Sequence, residues 1–141
     1  MRRVIVAGSS KHHISKIGYG WLDAYLDLDG IDILVCGMAP CVDSDSRRWA
    51  LSKKIKIEEF PAEWQNFDLP IVKIKYKGDY KYNAAAGIWR NEIMAQNATD
   101  VILFPGRNGT DSMFKLAKKY KLKITDWREY HDLLIKYEKR P

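Results

Sequence analysis

Short, uninterrupted apolar runs alternate along this chain with stretches where apolar residues return every three or four positions. The run Val4-Ile5-Val6-Ala7 predicts a buried strand, and Trp21, Leu22, Tyr25 and Leu26 predict a helix over about 18–28. Residues 31–36 predict a second strand. After the loop 37–42, Asp43-Ser44-Asp45-Ser46 has the residue types of a helix N-cap and first turn. That helix continues through Arg47, Arg48, Trp49 and Ala50 to about 54, and 55–60 predicts a short third strand. Residues 84–96 are rich in helix formers, with Ile88, Trp89, Ile93 and Met94 available for packing, and 100–104 predicts a fourth strand. Met113, Leu116, Ala117 and Tyr120 fall at i, i+3, i+4 and i+7, a helix stripe. Residues 122–124 predict a fifth strand, and Thr125 and Asp126 suit the cap of a last helix carrying Trp127, Tyr130, Leu134 and Tyr137 on its inner side.

Strands alternating with helices are the signature of a parallel α/β sheet. Residues 71–82 break the rhythm: apolar residues alternate with Lys73, Lys75 and Lys77, then Gly78-Asp79 offers a turn before Tyr80-Lys81-Tyr82. This is a β-hairpin pattern whose outward lysines discourage edge-to-edge association; an irregular loop is the other reading. No repeat, low-complexity segment or linker divides the chain, so residues 1–141 read as one domain.

Composition narrows the class. At 141 residues and 46% hydrophobic content the chain can bury a real core, and no apolar run reaches the roughly 20 residues that span a bilayer. The apolar stretch after Arg2-Arg3 is too short for a signal sequence, so a cytoplasmic protein with no membrane partner is expected. Cys36 and Cys41 flank one loop and have no further partners, which argues against a disulfide framework, and two thiols are too few for a metal site. Nothing calls for a cofactor. The net charge of +6 raises nucleic acid as a partner, but the lysines are dispersed and no nucleic-acid module is recognisable, which favours anionic small molecules.

In an open parallel sheet, ligands bind beyond the carboxyl ends of the strands. Three such loops carry small or polar residues: Gly8-Ser9-Ser10, Gly37-Met38-Ala39 and Pro105-Gly106-Arg107-Asn108-Gly109-Thr110. If the first, second and fourth strands are neighbours, the loops meet in one crevice. The last loop opens a helix, whose unpaired N–H groups can hold a phosphate. Arg90, followed by Asn91, can fork onto a phosphate or carboxylate, or lie on a solvated helix face. His12 and His13 follow Gly8-Ser9-Ser10, could stand near the same crevice and have the chemistry of a general acid or base, but without a partner at defined spacing they read as exposed loop histidines.

Four ordered motifs carry a family resemblance: Gly37 to Asp43 with Trp49-Ala50; Phe60-Pro61-Ala62-Glu63-Trp64; Ala86 through Met94; and Phe104 to Thr110. Over nearly the whole chain they resemble the DUF2493 (YspA-like, cpYpsA-related) branch of the SLOG superfamily, and more distantly the LOG phosphoribohydrolases and DprA. The resemblance implies a Rossmann-like three-layer domain with a mostly parallel five-stranded sheet, binding nucleotides or nucleotide-derived molecules. Two departures stand out. Arg107 replaces the second glycine of a P-G-G-x-G-T loop, where a side chain either obstructs the backbone approach or adds a cation. The stretch similar to G-G-A-R-G-A-D reads Gly37-Met38-Ala39-Pro40-Cys41-Val42-Asp43, keeping the first glycine and the aspartate but losing the second glycine and the arginine.

Cleavage is harder to support than binding. In LOG-like enzymes a glutamate two positions beyond the G-T pair works with an arginine; Arg90 matches the arginine, but Ser112 stands at the glutamate position. Cleaving an N-glycosidic bond needs a carboxylate to steady an oxocarbenium-like centre. Asp111 is adjacent but lies about 100° around the helix, and Asp43 offers a carboxylate from the opposite loop unless it serves as a helix N-cap. The expectation is therefore a nucleotide-binding protein contacting its ligand through Gly8, Ser9, Ser10, Gly37, Met38, Ala39, Asp43, Arg90, Asn91, Pro105, Gly106, Arg107, Asn108, Gly109 and Thr110. The alternatives are an N-glycosidase acting on nucleoside 5′-monophosphates through Arg90 with Asp43 or Asp111, and an accessory nucleic-acid binder. The hairpin reads as a lid or a subunit contact, and a homo-oligomer is expected.

Overall fold

The computed structural model describes residues 1–129. In chain order the elements are β1 (Arg3–Ala7), α1 (Lys16–Leu28), β2 (Ile33–Cys36), α2 (Val42–Ser52), β3 (Lys56–Glu59), β4 (Ile74–Lys77), β5 (Tyr80–Asn83), α3 (Ala86–Gln96), β6 (Asp100–Leu103), α4 (Asn108–Lys119) and β7 (Lys123–Asp126). Of the predicted last helix, Trp127 packs against the core and Arg128 and Glu129 are helical, while Tyr130, Leu134 and Tyr137 lie outside the described residues. Thr125 and Asp126, read as its cap, instead belong to β7, although Asp126 Oδ1 does accept from the Arg128 N–H at 3.1 Å.

Five strands form one parallel sheet in the order β3-β2-β1-β6-β7. The central strands are apolar on both faces, and successive side chains point to opposite sides. Val4, Val6, Leu34, Cys36, Ile102 and Phe104 therefore pack with Leu22 and Tyr25 of α1 and Trp49 and Ala50 of α2. Ile5, Ile33, Val35, Val101 and Leu103 pack with Met94 and Ala95 of α3 and Met113 and Ala117 of α4. The result is a three-layer, Rossmann-like arrangement, as the alternating pattern predicts. The chain reverses between β1 and β6: α1, α2 and their strands lie to one side, and the β6-α4-β7 unit to the other.

Residues 74–83 form the hairpin, β4 against β5 antiparallel, as a separate two-stranded sheet. It is tied down by Asn83, which is fully buried. Asn83 Oδ1 accepts from the N–H groups of Lys73 (2.9 Å) and Ala85 (3.0 Å), and its Nδ2 donates to the carbonyls of Asn66 and Ile71, both at 3.1 Å. One amide side chain thus uses its whole hydrogen-bonding capacity to hold three segments of a stretch with little apolar core. The Asn83 N–H also donates to Trp64 O at 2.7 Å, fixing the backbone that carries Trp64.

Candidate functional site

The loops after β1 and β6 are stitched together at the reversal point. Ser9 N–H donates to Pro105 O at 3.0 Å, Val42 N–H donates to Ser9 O at 3.2 Å, and Ser9 Oγ accepts from the Lys11 and His12 N–H groups, each at 3.0 Å. These bonds order the loops around a cleft of about 810 Å³, within the range of small-molecule sites. Gly8, Ser9, Ser10, Ala39, Asp43, Arg90, Asn91 and the whole loop Pro105 to Thr110 line it. Among the described residues, the cationic lining side chains Lys11, Arg90 and Arg107 outnumber the one carboxylate, Asp43, so the cleft favours an anion.

Its floor is the N-terminus of α4. The N-cap position, Arg107, makes no side-chain cap bond, and among the described residues the amides of Asn108, Gly109 and Thr110 have no acceptor. Thr110 Oγ1 is buried and likewise lacks a partner among the described residues. Gly106 lets this turn pack tightly: a Cβ there would overlap Thr110 Oγ1 and stand 3.0 Å from the carbonyl carbon of Gly8. Buried hydroxyls and helix-terminal amides ordinarily find partners, so donors left open at the bottom of a cationic cleft have the chemistry of an anion cradle.

The opposite wall is organised by Arg90. Its Nη1 donates to Gly37 O and its Nε to Asn91 Oδ1 at 2.8 Å, leaving Nη2 for other partners. A Cβ at Gly37 would stand 2.9 Å from Asp43 Oδ2 and 3.0 Å from Arg90 Nη1, so only glycine lets these two side chains meet against the loop. Asp43 Oδ2 also accepts from the Ala39 N–H at 3.1 Å. Burial pushes the Asp43 carboxyl above its ordinary value, opposed by the Ala39 N–H and the Arg90 charge. Burial likewise lowers Arg90, with Asp43 working the other way.

The predicted residues do not all converge. Gly37 lies behind the cleft, holding Arg90 through its carbonyl, and Met38 stands outside the lining. Asp111 points away, exposed and paired with Arg128 Nη1 at 3.1 Å. Asp43 does not cap α2: Cys41 is the N-cap residue, and Asp43 sits within the first turn. Met38 and Cys41 both have φ of 63°, the left-handed backbone that glycine adopts without strain. Position 38 is where the resemblance expects the second glycine, so the turn persists although its residue has changed.

Sequence reasoning passed over part of the lining. Trp64, Phe104 and Met113 contribute apolar surface; His12 and His13, expected near the crevice, do line it. Trp64 gets there only because Asn83 anchors its segment, a contact with no periodic signature. The available signal was the tryptophan itself, in a polar stretch with little core to join.

Residues 2–67 match the model of the YAcAr family, described as the YspA, cpYpsA-related SLOG family. No curated protein sequence matches the chain. Among solved structures, DNA processing protein A (DprA) from Streptococcus pneumoniae superposes with a TM-score of 0.65 at 18% identity, covering 89% of this chain and 50% of that one. DNA processing protein A from Helicobacter pylori, from a study of its single-stranded DNA binding mode, gives a TM-score of 0.63 at 17% identity, covering 99% of this chain and 74% of that one. The chain thus spans about half the length of the Streptococcus protein, and the likeness is one of fold. Residues 2–67 are thus similar to the YspA, cpYpsA-related SLOG family, in a chain whose fold is similar to that of DprA.

Proposed function

We propose that the protein, as one SLOG-like unit over residues 1–141, binds a nucleotide or nucleotide-derived phosphorylated small molecule in this cleft, for sensing, sequestration or signalling. The observation that carries the reading is the uncapped N-terminus of α4 with the buried, unpartnered Thr110 Oγ1 beside it. Phosphate oxygens would accept from Asn108, Gly109 and Thr110, with Arg107 and the free Nη2 of Arg90 as cations. The ribose and base would extend along Gly8, Ser9 and Ala39 toward the half-exposed ring of Trp64, a stacking surface. The family match and the DprA fold support a nucleotide- or nucleic-acid-related role.

The test is calorimetric titration with a panel of nucleoside mono-, di- and triphosphates and cyclic nucleotides. Saturable binding that Thr110→Ala weakens by about tenfold, one charge-assisted hydrogen bond's worth, is the expected result. Saturable binding that Thr110→Ala and Arg107→Ala both leave unchanged would place the ligand elsewhere and sink the reading.

A second reading rests on the Arg90–Asp43 wall: a buried carboxyl beside a guanidinium could serve an N-glycosidase acting on nucleoside 5′-monophosphates. Release of free base, abolished by Asp43→Asn, would establish it. A nucleic-acid partner draws on the net charge of +6 and on the Helicobacter protein's single-stranded DNA binding; DNA affinity falling steeply with salt and indifferent to Thr110→Ala would favour it. In the nucleotide-binding reading, the exposed hairpin face, with Ile74, Tyr76 and Tyr80 each at least half exposed, would be a lid or the contact of a homo-oligomer in the cytoplasm.

A further inference from the structure

Beside the anion cradle, three side chains that it does not use come together. Cys41 stands at the N-cap of α2 with φ 63° and ψ −108°, His13 comes from the loop between β1 and α1, and Asp45 lies in the first turn of α2. Asp45 is 2% exposed and tightly held: Oδ2 accepts from the Ile14 N–H at 2.9 Å, and Oδ1 pairs with Arg48 Nη2. The same carboxylate meets His13 Nδ1, at 2.9 Å from Oδ2 and 3.1 Å from Oδ1. A carboxylate accepts and does not donate, so this contact assigns the hydrogen of neutral His13 to Nδ1 and leaves the lone pair on Nε2. Nε2 in turn lies 4.0 Å from Cys41 Sγ, a long contact of the kind that tightens once substrate is bound. His13 and both chain neighbours of Cys41, Pro40 and Val42, line the cleft.

A nucleophile, a base whose free nitrogen faces it, and a buried carboxylate orienting that base are the parts of a catalytic triad, recognised by geometry rather than sequence order. Cys41 also occupies a strand–turn–helix corner with positive φ, the backbone that presents a nucleophile in hydrolase elbows. The first-turn amides of Asp43 and Ser44 have no acceptor among the described residues, leaving donors next to the sulfur for a developing oxyanion.

We propose that Cys41, His13 and Asp45 form a thiol nucleophile site that cleaves esters or thioesters. Cys41 Sγ passes its proton to His13 Nε2, and the sulfur electron pair forms a bond to the carbonyl carbon. The tetrahedral oxyanion collapses and expels the alcohol or thiol, which takes the proton from His13 and leaves an S-acyl cysteine. Water, giving a proton to His13, then attacks the thioester; the carboxylic acid departs and the sulfur recovers its proton. Asp45 touches no substrate and is a positioning residue. The proposal does not depend on phosphate binding, because its probes carry no phosphate.

The experiment uses the whole chain, fully reduced. Iodoacetamide labelling is followed by peptide mass spectrometry at Cys41 and Cys36 separately, with N-acetylcysteine as the reference thiol. Cys36 is buried, which pushes its thiol up to about 11, so its protection marks a folded variant. Cys41 is expected to react faster than the reference, and His13→Ala to slow it by at least about tenfold, below the 10²–10⁴-fold of a fully aligned base because the contact is long. With p-nitrophenyl acetate, the acetyl group is expected on Cys41 and then released as acetate. Cys41→Ala abolishes this, His13→Ala suppresses it, and added imidazole restores it in His13→Ala, which a merely structural histidine would not allow. Asp45→Asn is expected to lower kcat, to leave KM unchanged, and to have no further effect in the His13→Ala background. If a variant exposes Cys36 to reagent, His13→Gln takes its place. A Cys41 no faster than N-acetylcysteine, equal rates with and without His13, or acetyl groups on lysines alone would overturn the proposal.

Discussion

Replacing Gly106 by alanine tests the packing of the proposed anion cradle. Gly106 has no left-handed φ, so the cost is one of space rather than backbone conformation. The new Cβ would overlap Thr110 Oγ1 and stand 2.9 Å from Thr110 Cβ and 3.0 Å from the Gly8 carbonyl carbon, with backbone or a branched side chain on every side. Thr110 is β-branched and within a helix, so it has little rotamer freedom to withdraw. Overpacking of this kind costs about 2–3 kcal/mol. Against it stands about 0.4–1 kcal/mol gained from a less flexible unfolded chain. The net expectation is a loss of about 1–2.5 kcal/mol, read as a lower midpoint with unchanged slope in urea unfolding. Thr110→Ala alone removes a hydroxyl that has no partner among the described residues, as well as a methyl, and is expected to change stability by less than about 1 kcal/mol. In the double variant the Oγ1 overlap is gone, so the two changes couple favourably by about 1 kcal/mol. Additivity within about 0.5 kcal/mol would refute the packing argument.

Three further outcomes follow from the same geometry. Asn83→Ala strips four hydrogen bonds from a buried amide and is expected to cost about 2–4 kcal/mol, at about 1 kcal/mol for each bond; limited proteolysis should then cut first between residues 60 and 85. The Asp43 carboxyl is raised in the folded state, so its contribution is fully present below its ordinary value of 3.8 and is lost as pH rises through the folded value. Asp43→Asn should therefore gain stability relative to the parent as pH increases across that window, and parallel stability–pH curves would contradict the assigned burial. Gly37→Ala pushes on both Asp43 and Arg90 and is expected to weaken nucleotide binding severalfold with a stability loss of about 1–3 kcal/mol; unchanged affinity in calorimetry would detach Arg90 from the site.

The parallel sheet and its helices were legible in the sequence because their signals are local. Val4 to Ala7 and Val101 to Leu103 are apolar runs that suit a strand covered on both faces, and Met113, Leu116, Ala117 and Tyr120 state a helical period outright. The loop from Pro105 to Thr110 marked itself as a candidate anion site for the same reason, since glycine and a helix start are read within a few residues. The boundary of α2 was misread because Asp43-Ser44-Asp45-Ser46 has the composition of a cap, whereas a strained Cys41 starts the helix and the acidic side chains face inward to other partners.

Pairing between distant residues belongs to tertiary structure alone. His13 had no visible partner because Asp45 lies 32 residues on, and Cys41 joins them only through the turn that leads into α2. Trp64 reaches the cleft because Asn83, deep in a lysine-rich hairpin, holds its backbone. Periodicity records which face of an element meets the core, and turn chemistry records where the chain reverses. Neither records which two polar groups, brought together by the sheet order, become each other's replacement for water.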